Sequence, residues 1–354
     1  SGEKAGGKNA DPRYGGRMVL SSVNDPKSFN PVLAKETSTT NIINFVFDGL
    51  TTTNGVTLEV EPALARSWES RAEGREWLFH LREDAAWADG KPLTADDVVF
   101  TFNDLIYNDA VPNSMRDIFT VEGKRIEVQR LDAHTVKFLL PTPFAPFLRS
   151  MSTPILPKHL LEASVKDGTF NSTWGVDVPV SQVVGTGPFQ LAEYVSGQRV
   201  VLKRNPRYWK KDKEGRQLPF LDELVFAIVP NQDVSFLKFQ EGELDLYDLR
   251  GADYPLLKPK EQDGNFTVFR AGPSFGTTFL TFNQNTSVDP KTGKTVIAPQ
   301  KLEWFTNVRF RQAVAHAIDK KSIIAIVYNG LAVPQTSSMS PSEGYFYTGD
   351  VPRY

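Results

Sequence analysis

Residues 185–209 read GTGPFQLAEYVSGQRVVLKRNPRYW, and three readings compete for them: a phosphate-cradling loop, a nucleic-acid patch, or a hairpin that serves as scaffold. A dinucleotide loop needs a third glycine three residues after the second and a helix behind it. Here Gln190 stands where that glycine belongs, and Pro188 leads into an alternating, strand-like run. The basic tail contains Lys203, Arg204, Arg207, Lys210, Lys211, Lys213 and Arg216 around Tyr208 and Trp209, a mixture that can stack and track single strands. Asn205-Pro206 marks a turn, however, and the whole chain is slightly acidic at −2. The tail therefore reads as a solvated turn with Tyr208 and Trp209 packed inward. What remains is a hairpin turned at Ser196-Gly197.

Around this hairpin the chain alternates strands and helices. RMVLSS (17–22) is a short strand, followed by a turn at NDPKSFNP. Residues 38–50 form a helix, with Ile42, Ile43, Val46, Phe47 and Leu50 at spacings of three and four. Trp77, Phe79 and Leu81 alternate, so 76–82 is a half-buried strand. Thr94 caps a helix with Asp97 in the reciprocal position, and Val98, Phe102 and Leu105 line its buried stripe. TVKFLLP (135–141) is another strand. Leu224–Val229 is a continuous apolar run, as in a strand covered on both faces. A helix at 232–241, ended by Gly242, leads to a strand at Leu244–Leu249, and such a crossover builds a parallel pair. FGTTFLTFN (275–283) reads as a strand. Two helices follow between residues 306 and 330, capped by Asn307 and Asp319 and closed by Asn329-Gly330.

The bulk numbers exclude several function classes. At 354 residues the chain has room for two or three domains. With no cysteine it holds no disulfide and no thiolate metal site. Its longest apolar run, SIIAIVYNGLAV, falls short of the roughly 20 residues that span a bilayer. The Gly-rich stretch 1–16 reads as a flexible tether. Histidines 80, 134, 159 and 316 stand apart from any metal-ligand spacing, with His316 expected at a packed or rim position. Asp96-Asp97 belong to a helix first turn, where negative charge is favoured. No nucleophile elbow occurs. The reading assigns no catalytic residue, no metal and no cofactor.

Five stretches together carry a resemblance: WADGKPLTADDVVFTF (87–102), residues 185–209, LPFLDELVFAIVPN (218–231), GELDL (242–246) and FTNVRFRQAVAHAIDK (305–320). In order and spacing they resemble the family 5 extracellular solute-binding proteins, the oligopeptide- and dipeptide-binding type that serves ABC importers. The likeness runs from about residue 17 onward. It implies an α/β fold of the type II periplasmic-binding-protein kind, with a discontinuous first lobe whose central sheet takes 17–40 and 175–274. It further implies an inserted subdomain at 41–174 and the start of a second lobe at 275–354. Residues 1–16 would then be the tether, leading to a lipid anchor outside the cytoplasm.

The family's complete chain is longer, so a truncated second lobe is expected, with weak solute binding and either self-association or loose packing of the last ~80 residues. The resemblance implies capture of a peptide, or of another small solute such as a nickel complex or oligosaccharide, between two lobes and delivery to permease subunits. It implies no nucleic-acid partner. Asp25 matches a cleft-lining acidic position of the peptide-binding members, Thr186 and Gly187 would line the cleft floor, and Gly276, Thr277 and Thr278 would offer backbone to an extended ligand. Turn or hinge geometry is the alternative for each of these six. Two rival functions stand beside transport: a hydrolase, disfavoured by the lack of a catalytic constellation, and a protein-interaction or chaperone-like module.

Overall fold

Arg17–Ser22 enters a four-stranded sheet by pairing in parallel with Glu223–Ile228, from Arg17 opposite Glu223 to Ser22 opposite Ile228. The hairpin strands Phe189–Val195 and Arg199–Arg204 complete it, so the order is opening strand, Glu223–Ile228, Arg199–Arg204, Phe189–Val195. The computed structural model describes residues 13–269, 272, 276–335, 337 and 339–341. The chain divides into two compact units, 1–247 and 248–354.

One face of this first sheet is apolar because alternate residues project to the same side. Leu224, Phe226, Val200, Leu202 and Phe189 meet Phe29, Ile42, Val46, Phe47 and Trp174 in a shared core. The helix expected at 38–50 is shorter, Thr37–Ile43, yet all five predicted apolar residues are buried. The chain leaves the helix at Asn44 and continues as a turn that keeps Val46, Phe47 and Leu50 inside.

A second, antiparallel sheet follows the order Ala65–Arg71, Glu76–Leu81, Thr135–Leu139, Glu127–Arg130. Phe79, Phe138, Phe147, Phe102 and Phe119 form its core, with edge-on ring contacts such as Phe102–Phe119 at 4.9 Å, the geometry aromatic quadrupoles favour. The helix Ala95–Phe100 covers this core. The Thr94–Asp97 capping box is present, and the Asp97 carboxylate also accepts from the Lys158 amide at 2.9 Å and faces the Trp87 indole N–H at 3.4 Å. The helix widens into π-helical turns at Thr101–Ile106. Tyr208 and Trp209, each 9% exposed, insert into this second core. The segment 185–209 thus contributes strands to one core and aromatic anchors to the other.

Three expectations are corrected and a fourth is narrowed. Glu223–Ile228 is not covered on both faces: Leu224 and Phe226 are buried while Val225, Ala227 and Ile228 are partly exposed. Its second face lines an open groove of about 530 Å³ with Arg17, Glu193, Arg199, Val201 and Lys203. Leu244–Leu249 is not a strand. Asp245 does reach the opening strand, donating its amide to the Val19 carbonyl at 2.9 Å. Its carboxylate, however, takes the Val19 amide at 2.6 Å, occupying the donor a backbone ladder would use. The strand expected at 275–283 is also absent: segment 277–283 enters no sheet among the described residues, and Phe279 is 76% exposed. The amides of Asn285 and Ser287 turn instead onto the side chains of Asn283 and Asn285, a local bonding that competes with extended pairing. Of the two positions expected for His316, packed or rim, the packed one is excluded, because the residue is exposed.

Residues 1–12 of the expected tether lie outside the described residues. Its last positions are held: the Tyr14 hydroxyl donates to the Gln217 carbonyl at 2.7 Å and the Gly15 amide to the Phe220 carbonyl at 2.9 Å.

In the second unit, the helices Pro299–Thr306, Val308–Ala317 and Lys320–Ile326 follow one another. Asn307 accepts from the Arg309 and Phe310 amides, and Asp319 from that of Ser322. Phe282, Phe305 and Phe310 form a small aromatic cluster, with Phe282 5.4 Å from Phe305 and 5.7 Å from Phe310.

Candidate ligand-binding site

In an open α/β sheet the carboxyl ends of parallel strands release the chain into loops, and ligands bind there. The opening strand and Glu223–Ile228 end side by side at Ser22 and Ile228. Asp25 lies three residues past the first of these ends. Its carboxylate accepts from the Tyr194 hydroxyl at 3.1 Å and from the Gly197 amide at 3.0 and 3.2 Å. Its carbonyl accepts from Ser38 at 3.2 Å. The acid therefore fastens the hairpin tip to the end of the opening strand. Burial raises the Tyr194 hydroxyl pKa, and the Asp25 and Asp177 carboxylates add to the rise. The Tyr194 ring meets Phe29 edge-on at 5.6 Å.

Thr186 and Gly187 lie at the other end of the same hairpin strand, whose seven residues span about 20 Å. They press against the turn after the first helix. Gly187 donates to the Val46 carbonyl at 2.8 Å, and a Cβ on Gly187 would stand 2.6 Å from the Val46 carbonyl carbon. A Cβ on Gly185 would overlap the Val46 carbonyl oxygen outright. Only glycine permits this approach. Thr186 is fully buried, and its hydroxyl accepts from the Asp48 amide at 3.3 Å.

Gly276, Thr277 and Thr278 belong to the second unit, all exposed, with the Thr278 hydroxyl 3.0 Å from that of Tyr328. Of the six residues singled out, the structure places Thr186 with Gly187 and Gly276 with Thr277 and Thr278. Asp25 stands apart from Thr186 and Gly187 along the hairpin.

Two residues escaped the sequence reading. Tyr194 was one of several strand aromatics with nothing to mark it. Asp48 follows the buried run Val46-Phe47 and precedes Gly49, and that acid in an apolar setting was its only signal. Its carboxylate accepts from the Trp209 indole N–H at 3.0 Å. Burial pushes its pKa up to about 6, against the lowering effects of Trp209, Lys210 and Thr186.

Comparisons with known proteins agree with this architecture. Residues 59–354 match the family model described as bacterial extracellular solute-binding proteins, family 5 Middle. The chain is 30% identical to the dipeptide-binding protein of Escherichia coli over 361 aligned residues, covering 95% of this chain and 60% of that one. It is 28% identical to a probable ABC transporter-binding protein of Deinococcus radiodurans, covering 94% and 56%. Among solved structures, the oligopeptide-binding protein AppA of Bacillus subtilis in complex with a nonapeptide superposes with a TM-score of 0.73 at 24% identity, over 97% of this chain and 61% of that one. The chain thus spans somewhat under two thirds of the length of these relatives, and its fold is the mixed α/β fold of type II periplasmic binding proteins. With five-sixths of its length matched by the family model, the chain belongs to the family 5 bacterial extracellular solute-binding proteins.

Proposed function

We propose that this protein is the extracytoplasmic receptor of an ABC importer, that it captures a peptide or a comparably small solute, and that it delivers the solute to permease subunits. The supporting observation is the pair of parallel strand ends at Ser22 and Ile228, with Asp25 and the hairpin tip beside them, in a chain of this family. A carboxylate at such an edge suits the ammonium or a basic side chain of a peptide. Asp25 reaches it with the lone pairs that Tyr194 and Gly197 leave open. Thr186 and Gly187 act from beneath by fixing the hairpin. Gly276, Thr277 and Thr278, all exposed, offer backbone groups to an extended ligand. In this reading 275–354 begins the second lobe, 41–174 is inserted into the first, and an N-terminal lipid anchor holds the receptor at the outer face of the membrane. Among the described residues no helix is long and apolar enough to cross a bilayer.

Native mass spectrometry of the protein purified without refolding tests the proposal. A co-purified small solute that leaves on denaturation, and a matching synthetic peptide that rebinds in calorimetry, are the expected results. Recovery of a partner protein in place of a solute, or chemical turnover of the peptide, would overturn it.

A further inference from the structure

Three chain segments distant in sequence converge on Asp48. Its carbonyl accepts from the Ile155 amide at 3.0 Å, and its amide donates to Thr186. Its carboxylate holds the Trp209 indole N–H. The Trp209 ring carries the Arg82 guanidinium 4.4 Å from its centroid, and Tyr208 lies against it at 5.4 Å. Trp209, Arg82, Asp84, Glu61, Lys210 and Lys211 line a surface groove of about 470 Å³. Asp48 therefore holds one of the residues that line the groove.

The charges around it are unequal. Among the described residues Asp48 has no ion-pair partner. Arg82 is bonded through Nε to Asp84 Oδ1 at 3.1 Å. Lys210 acts on Asp48 only at long range. From the Gly185–Gly187 turn and the backbone around Ile155 no charged side chain faces it. From the basic tail come Lys210, Lys211 and Tyr208, whose hydroxyl pKa burial raises, with the Asp48 carboxylate adding to the rise. An enclosed carboxylate held by neutral donors is poised between two states. Ionised, it makes a charge-assisted bond to the indole and sets a negative charge at the N–H edge of the ring whose face carries Arg82. Protonated, that bond becomes a neutral one and the counter-charge to Arg82 disappears.

We propose that Asp48 is a proton-operated clasp: gain or loss of its proton changes the hold on Trp209 and thereby the shape and charge of the groove formed with Arg82, Lys210 and Lys211. The acid pKa is raised on folding, to about 6 from 3.8. The folded chain thus keeps a proton that the unfolded chain releases as pH rises from about 4 to 6, and stability from this group falls across that window.

The test follows the tryptophan indole N–H resonances by nuclear magnetic resonance from pH 4.5 to 7.5, with Trp209→Phe assigning the relevant one among six tryptophans. The Trp209 resonance should move with a midpoint of about 6, in step with the Asp48 carboxyl carbon, and should stop titrating in Asp48→Asn. In urea titrations the ratio of the variant's folding constant to that of the parent should rise about fiftyfold between pH 4 and pH 7. A flat Trp209 resonance in the parent protein, or one that still titrates in Asp48→Asn, overturns the proposal. Should Asp48→Asn fail to fold, the parent's Trp209 and Asp48 resonances decide alone: shared titration supports the clasp, and an invariant pair refutes it.

Discussion

Gly185 meets the Val46 carbonyl so closely that one added methyl group has nowhere to go. The obstructing atom is backbone, fixed by the Gly187 amide bonded to it, so rotation of a side chain cannot relieve the clash. Gly185→Ala should cost more than about 3 kcal/mol, at the upper end of single-residue effects, or abolish folding. Urea denaturation of the variant checks this; a loss under about 1 kcal/mol would mean the turn can retreat from Val46. The Gly-Thr-Gly turn was legible as a turn because glycine's backbone freedom is local. Its partner was not, because nothing at 185–187 names Val46 or Asp48. Asp25 was legible as a turn acid, yet its bonds to Tyr194 and Gly197 follow from the sheet's pairing order.

The hairpin Phe189–Arg204 depends on that acid. With the carboxylate removed, the Gly197 amide and Tyr194 hydroxyl lose a charged acceptor. Hydrogen bonds to charged groups contribute about 1.5–3 kcal/mol, and the partly open setting of Asp25 brings the expected loss for Asp25→Ala to about 1–2 kcal/mol. Hydrogen exchange at Gly197 should accelerate by more than tenfold. If protection there is unchanged, Asp25 does not fasten the hairpin. Elements with local signals were readable to within a few residues: the opening strand, the Thr94–Asp97 capping box, and the caps at Asn307 and Asp319. Elements whose existence needs a distant partner were not. Residues 275–283 have strand-like composition, yet 277–283 enter no sheet among the described residues.

At the scale of the molecule the burial is uneven. The first unit encloses two aromatic-rich cores. In the second, Phe279, Leu280, Trp304, Ile323, Ile326 and Val327 are exposed, Ile326 by 78%. Exposed apolar side chains in such number favour association. The 354-residue chain should therefore sediment with a concentration-dependent rise in mass, and Ile326→Ser with Phe279→Ser should reduce it. A monomer at every concentration tested would show that these side chains find cover within the chain.

The amino-acid sequence by itself determined where the periodic elements and their caps lie, and five spaced stretches were enough to point to the family. Those signals are short-ranged: a cap, a turn glycine or an apolar stripe is complete within a few residues. Only the tertiary structure decided that the Asp245 carboxylate ends the pairing at Val19, that Tyr208 and Trp209 anchor the hairpin's tail in the second core, and that Asp48 holds Trp209. Each of these depends on which distant segment excludes water from a polar group, and burial of that kind is a property of the packed chain.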